Sequence, residues 1–510
     1  MTSAPSPIVR TASGAVRGRN EDDLAVFRGV PFARPPVGEA RFTAPLPPVP
    51  WDGVRDATAF GPPPPQTPLG PPFPLPPPAS YDWLTVNVWT PAPDPAARRP
   101  VMVWIYGGAY AAGFSAGYDG RRLARQRNQV IVTLNYRVGM EGFGQLPDAP
   151  ANRGLLDQVA ALRWVRENIA GFGGDPERVT VFGESAGAGS VAALLVMPDA
   201  KGLFQRAVAQ SVPGTFFSPE LASDIASALV APLDLPPTAA ALAAVDPHEL
   251  AMTSAALLPS MTDHHDRWGV VAHTLTPFSP VVDGEVLPQA PWRALAAGAA
   301  RDVPLLTGHT RDEFRLFHAL RTEQKGRSPI AAASARTTLD RFGPGPSPNS
   351  AYRAAYPDAT EDELYVLVQS DWTFRMPSLH LAEAHTRGGG RSYVYELTWP
   401  APADDGTLGA CHGLDVPLTF GMYEGIADLF GLTPTPEAEE VSAQFRSAWT
   451  AFAEEGTPGW PPYDTGTRRT RVLDTPGRTT PYPEEPSRRL WADHTFDTLP
   501  LRANPPSKHI

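Results

Sequence analysis

Short apolar runs rich in β-branched residues punctuate the first two hundred residues. Segments 84–88, 101–106 and 130–135 are each bounded by proline, glycine or charge and read as buried strands. Over 155–169 the apolar positions Leu155, Leu156, Val159, Leu162, Val165 and Ile169 recur at helical spacing. With Glu167 and Asn168 on the other face, this predicts an amphipathic helix. A further strand, 178–182, runs straight into Gly183-Glu184-Ser185-Ala186-Gly187 and then a small-residue helical stretch, 188–197. Strand, helix, strand, tight turn, helix implies an α/β fold with a large, mostly parallel sheet flanked by helices. No repeat of fixed period interrupts it.

A chain of 510 residues is long enough for several domains, yet large α/β enzymes often run this long as one unit, so one domain with insertions is expected over 1–510. The clearest insertion is the proline-rich loop 61–80, GPPPPQTPLGPPFPLPPPAS. Repeated proline removes backbone donors and favours extended geometry, so this segment is a stiff surface connector or part of a pocket rim.

Composition narrows the class. With 42% apolar and 19% charged residues the chain can bury a sizeable core. A net charge of −11, with no basic run, opposes binding to a phosphate backbone, so no nucleic-acid partner is expected. No window of about 18 apolar residues occurs, and the first residues lack a basic stretch followed by an apolar one, so no membrane partner and a cytoplasmic location are expected. The single cysteine, Cys411, cannot form an internal disulfide, which suits a reducing compartment.

Chemistry enters at Gly183-Glu184-Ser185-Ala186-Gly187. A serine hydroxyl is a weak nucleophile at neutral pH, so it must be exposed and given a base. Glycines on both sides permit a sharp strand-to-helix turn that presents the Ser185 oxygen above a helix N-terminus. Attack on an ester carbonyl also needs fixed donors for the oxyanion. Tyr106-Gly107-Gly108-Ala109-Tyr110 follows the apolar strand at 101–105, and the backbone amides of Gly108, Ala109 and Ala186 are the candidate oxyanion hole.

Several stretches together resemble the type-B carboxylesterase/lipase family, which is cholinesterase-like and para-nitrobenzyl esterase-like. They are VMVWIYGGAY, NYRVGMEGFG from Asn135, GLLDQ from Gly154, GGDPERVTVFGESAGAGS up to Ser190, VFRGVPFARPPVGEARF from Val26, and PVVDGEVLP from Pro280. The resemblance spans most of the chain. It implies the α/β-hydrolase fold and a triad in the order serine, acid, histidine. Gly308-His309-Thr310-Arg311-Asp312-Glu313 resembles the family's acid loop, which makes Glu313 the acid and Asp312 a structural neighbour. Cys411-His412-Gly413-Leu414-Asp415 resembles the histidine loop, which selects His412 as general base.

The implied function is a serine carboxylesterase that hydrolyses carboxylic esters through an acyl-enzyme. A lipase or amidase using the same machinery, or a catalytically inactive cholinesterase-like binding module, is the alternative. The expected partner is a small-molecule ester. No metal or organic cofactor is expected, and the sequence leaves the oligomeric state open with a monomer favoured.

The resemblance also implies a buried ion pair between Arg137 and Asp157. Glu184 either acts on cationic groups or serves as scaffold. Tyr110, Glu184, Thr274 and Thr276 are candidate substrate-pocket residues, with the two threonines standing where some members carry bulky aromatics. Two departures are expected to matter. Tyr81-Asp82-Trp83 replaces a usual glutamate-aspartate-cysteine, so a disulfide and a salt bridge to Arg41 are lost, and Ala109 stands where glycine is common. His264, His265 and Asp266 read as a solvated loop rather than a metal site.

Overall fold

The computed structural model describes residues 5–67, 80–325 and 330–503. Of the proline-rich segment, 61–67 forms neither helix nor strand, and 68–79 lies outside the described residues. Where the sequence reads as one domain with insertions, packing gathers the chain into two compact units. One comprises Met1–Ala207, Thr215–Ala290 and Thr498–Ile510; the other comprises Val208–Gly214 and Pro291–Asp497.

The first unit holds strands β1 (Arg19–Glu21), β2 (Leu24–Pro31), β3 (Thr85–Thr90), β4 (Arg99–Ile105), β5 (Val130–Leu134) and β6 (Gly174–Glu184), in the spatial order β6-β4-β5-β3-β2-β1. Strand β4 pairs parallel with both β5 and β6. The pairs β5–β3, β3–β2 and β2–β1 are antiparallel, so this part of the sheet is mixed. Every residue of β3 and β5 is buried, as is β4 from Pro100 onward. Burial on both faces explains why these segments read as continuous apolar runs without alternation.

Helix α1 (Arg153–Asn168) buries Leu155, Val159, Leu162 and Val165 and leaves Glu167 exposed. Asn168, expected on the polar face, is instead buried: its amide group donates to the Trp164 carbonyl at 2.8 Å and its oxygen accepts from the Ala12 backbone at 2.7 Å. It closes the helix end against another segment, which periodicity cannot foresee. Helix α2 (Ala186–Val196), rich in alanine and glycine, is buried except for Val196.

The second unit holds β7 (Arg206–Gln210, from Val208 onward), β8 (Leu305–Thr310), β9 (Ser392–Leu397), β10 (Thr470–Leu473) and β11 (Arg478–Thr480), in the order β11-β10-β9-β8-β7. The β8–β9 and β9–β10 pairs are parallel, and β11 closes the edge antiparallel to β10. Helix α3 (Met376–Arg387) packs on β8 and β9. The loops after β8 and β9 carry Glu313 and His412.

Candidate active site

In the first unit β6 ends at Glu184 and α2 begins at Ala186, which leaves Ser185 alone in the turn at φ 56° and ψ −125°. A non-glycine residue held there costs about 1–3 kcal/mol, and it persists only because its surroundings leave no alternative. Those surroundings are backbone. A Cβ on Gly187 would lie 2.0 Å from the Ile105 carbonyl oxygen, and one on Gly183 would lie 2.7 Å from the Gly187 carbonyl. Strand and helix therefore touch main chain to main chain on both sides of the serine. The Ser185 carbonyl accepts from Gly189 at 2.9 Å, starting the helix. Ala186, as first helical residue, has an amide with no intrahelical acceptor, at the helix end that favours negative charge.

The segment after β4 lies against this turn: a Cβ on Gly107 would sit 2.9 Å from both the Ser185 Cβ and the Glu184 Oε2. Three positive φ angles follow, at Gly108 (117°), Ala109 (57°) and Tyr110 (58°). Gly108 admits no side chain, since a Cβ would meet the Ala112 carbonyl oxygen at 2.2 Å. Its own carbonyl accepts from Ala111 and Ala112, each at 3.0 Å. In a trans peptide the N–H points opposite to the C=O, so the Ala109 amide is turned away from that tight turn. Among the described residues the amides of Gly108 and Ala109 donate to no acceptor.

Tyr110 is buried and packs on Phe143 with ring centroids 4.7 Å apart; burial pushes its hydroxyl pKa well above the usual range. Thr276 donates its hydroxyl to the Ala109 carbonyl at 2.8 Å, and Thr274 donates to the Val271 and Thr276 carbonyls at 2.8 and 2.9 Å. Glu184 is buried; after burial itself, its charge is the next cause raising the Tyr118 hydroxyl pKa. Sequence reasoning missed Gln66, which clamps the far end of the Gly107 segment. Its side chain accepts from the Gly113 amide at 2.8 Å and donates to the Gly113 carbonyl at 2.9 Å. A lone glutamine inside a proline run carries no signal of this.

In the second unit His412 Nδ1 lies 2.6 Å from Glu313 Oε2. Both are buried, Glu313 completely. The other carboxylate oxygen accepts from the Thr310 amide at 3.0 Å, and the His412 amide donates to the Glu313 carbonyl at 3.2 Å. Burial alone would raise the Glu313 pKa. The His412 ring, helped by the Ser211 hydroxyl, more than offsets it and holds the carboxyl below its ordinary value. The imidazole stacks on Phe374 at 4.1 Å between centroids and meets Phe317 at 5.2 Å. Neither aromatic was foreseen, because nothing in its local sequence points to a histidine. Asp312 ties the two loops together: it accepts from the Ala410 amide at 3.0 Å, while its own amide donates to the Ala410 carbonyl at 2.8 Å.

Comparison with known proteins decides the family. A model of the carboxylesterase family matches residues 5–484. The chain belongs to the carboxylesterase family. It is 38% identical over 485 residues to the para-nitrobenzyl esterase of Bacillus subtilis (strain 168), covering 92% of this chain and 94% of that protein. It is 35% identical to the phenmedipham hydrolase of Pseudarthrobacter oxydans, covering 89% and 90% respectively. Among solved structures, a carboxylesterase of Geobacillus stearothermophilus superposes with a TM-score of 0.83 at 34% identity, covering 95% of this chain and 99% of that one. The protein thus has the α/β-hydrolase fold and is a carboxylic ester hydrolase.

The carboxylesterase keeps the buried ion pair: Arg137 Nη2 and Asp157 Oδ1 are 2.7 Å apart with neither side chain exposed. The salt bridge to Arg41 is rebuilt from elsewhere. Arg41 directs Nε and Nη2 to Glu141 Oε1 at 3.0 and 2.6 Å, while Nη1 donates to the carbonyls of Leu242, Ala243 and Val245. Tyr81, in the glutamate's place, donates its hydroxyl to Asp246 at 3.0 Å, and the retained Asp82 pairs with Arg55 at 2.9 Å. Cys411 is buried, and burial pushes its thiol pKa well up, which suits an inert side chain. His265 bonds His273 at 2.9 Å and His264 stacks on Trp268. Among the described residues no group of three His, Cys, Asp or Glu is placed to hold a metal ion, and no helix is long and apolar enough to cross a membrane.

Proposed function

We propose that the enzyme hydrolyses carboxylic esters by a serine acyl-enzyme route. Ser185 attacks the ester carbonyl while His412 takes its proton. Glu313 fixes the imidazole tautomer and stabilises the imidazolium. The amides of Gly108, Ala109 and Ala186 hold the oxyanion, the alcohol departs with a proton from His412, and water then cleaves the acyl-enzyme. No metal or organic cofactor takes part. The observation that carries this reading is Ser185, held in a sparsely populated backbone conformation by glycine contacts and set against donors that have no other acceptor among the described residues.

Both compact units then serve one catalytic domain, and a cytoplasmic setting suits a chain whose single cysteine is buried. Since one relative is named for para-nitrobenzyl esters, benzyl esters are the first substrates to try. A lipase or an amidase would use the same groups and differ in the pocket walls.

The test is turnover of p-nitrophenyl acetate by wild type beside Ser185→Ala. By analogy with subtilisin the loss reaches about 10⁶-fold. A Ser185→Ala enzyme of wild-type activity removes the nucleophile assignment, and a wild type with no turnover favours the binding module.

A further inference from the structure

We infer that Thr276 is a positioning residue for the oxyanion hole, not a wall of the acyl pocket; this rests on the nucleophile and oxyanion assignments above. The segment it holds is strained. Ala109 and Tyr110 both carry positive φ without being glycine, at 57° and 58°. Such a run has a ready escape. Rotating the Ala109–Tyr110 peptide plane by half a turn changes ψ of Ala109 and φ of Tyr110 together, and it would carry Tyr110 to a negative, unstrained φ.

The Ala109 carbonyl is the group that must swing in that rotation, and it is the group Thr276 holds, at 2.8 Å. The threonine is itself fixed, because its oxygen accepts from the Phe278 amide at 3.1 Å. On the preceding peptide the Gly108 carbonyl is held by Ala111 and Ala112. The Ala109 N–H lies in the Gly108–Ala109 plane, so Thr276 acts on it indirectly: with the following plane also pinned, the Ala109 Cα between them cannot shift, and the N–H keeps its direction before substrate arrives. Donors that need not reorganise during the reaction are what make an oxyanion hole effective.

Three consequences distinguish this role from pocket lining. Thr276→Val keeps the shape and removes the hydroxyl, so kcat falls about 10- to 100-fold while KM stays within about twofold, because the misplacement is felt mainly when the oxyanion forms. Thr276→Ser keeps the hydroxyl and restores most of kcat. Affinity for an ester-like trifluoromethyl ketone, which forms the tetrahedral oxyanion, falls in step with kcat in Thr276→Val.

The experiment measures kcat, KM and trifluoromethyl ketone affinity for wild type, Thr276→Val and Thr276→Ser across p-nitrophenyl acetate, butyrate and octanoate, with Ser185→Ala in parallel. Equal fractional loss of kcat across the three acyl lengths, rescued by serine, supports the inference. A shift in acyl-length preference with unchanged kcat on acetate returns Thr276 to the pocket wall and overturns it, as does a Thr276→Val enzyme with wild-type kcat and ketone affinity. Should Ser185→Ala remain active, it is the nucleophile assignment that fails, whatever the threonine variants do.

Discussion

Around Ser185 the chain is shaped by backbones in contact, with Gly183 and Gly187 pressed against Ile105 and each other so that the serine has one conformation left. Around His412 the same degree of order comes from charge and hydrogen bonds: a 2.6 Å contact to a fully buried Glu313, whose other oxygen takes a backbone amide. The first arrangement is steric and indifferent to pH. The second depends on the ionisation of the groups that make it. The contrast fits the proposed roles: a nucleophile needs its oxygen in one place, whereas a base must change charge during the reaction and needs a partner that stabilises the change.

That contrast can be broken most severely at Glu313. Glu313→Gln should lower kcat for p-nitrophenyl acetate by about 10⁴-fold, the size of the equivalent change in a serine protease, because the imidazole loses its orienting anion. A drop of less than tenfold would show that His412 does not depend on this carboxylate. Next in size, Asp157→Asn leaves Arg137 buried without a counter-charge and should cost about 3–5 kcal/mol in urea unfolding. Turnover per folded molecule should hold, since neither residue touches the reacting groups.

Gly187→Ala probes the steric side and should lower stability by about 3 kcal/mol, together with activity, because the added methyl overlaps the Ile105 carbonyl. An unchanged melting temperature would mean that the elbow can relax. The smallest effect is the pH slope set by His309, whose pKa burial lowers from 6.5 to about 4. Unfolded His309 takes a proton below about 6.5 while the folded ring stays neutral, so stability is full above that pH and declines as pH falls toward 4. The decline amounts to about 3 kcal/mol at most. His309→Gln should remove that share of the slope in thermal melts between pH 7 and 4, while the share of His380, whose pKa burial lowers to about 3, remains. Glu313, with its pKa lowered, adds its own loss only below about 4.5, its unfolded value.

How much was legible beforehand follows from the range of each cause. The Ser185 elbow is written locally, since two glycines, a strand and a helix lie within about twenty residues of one another in the chain. Glu313 and His412 lie 99 positions apart and became visible only through resemblance to a family. Asn168 was misplaced because periodicity assigns a face but knows nothing of Ala12. The lost salt bridge at Arg41 was foreseen, yet its replacement by Glu141, 100 positions away, was not, for a charge in sequence does not announce its partner.

Sequence by itself determined the strands and helices of the core, the turn that exposes Ser185 and the family of chemistry, because these rest on side-chain periodicity, glycine permissiveness and motifs read over short spans. Tertiary structure alone decided which aromatics hold His412, how Gln66 and Thr276 grip the Gly107 segment, and where the buried charges find partners. Those are contacts between residues brought together by folding, whose free energy depends on distance and burial, neither of which is a property of the chain read in order.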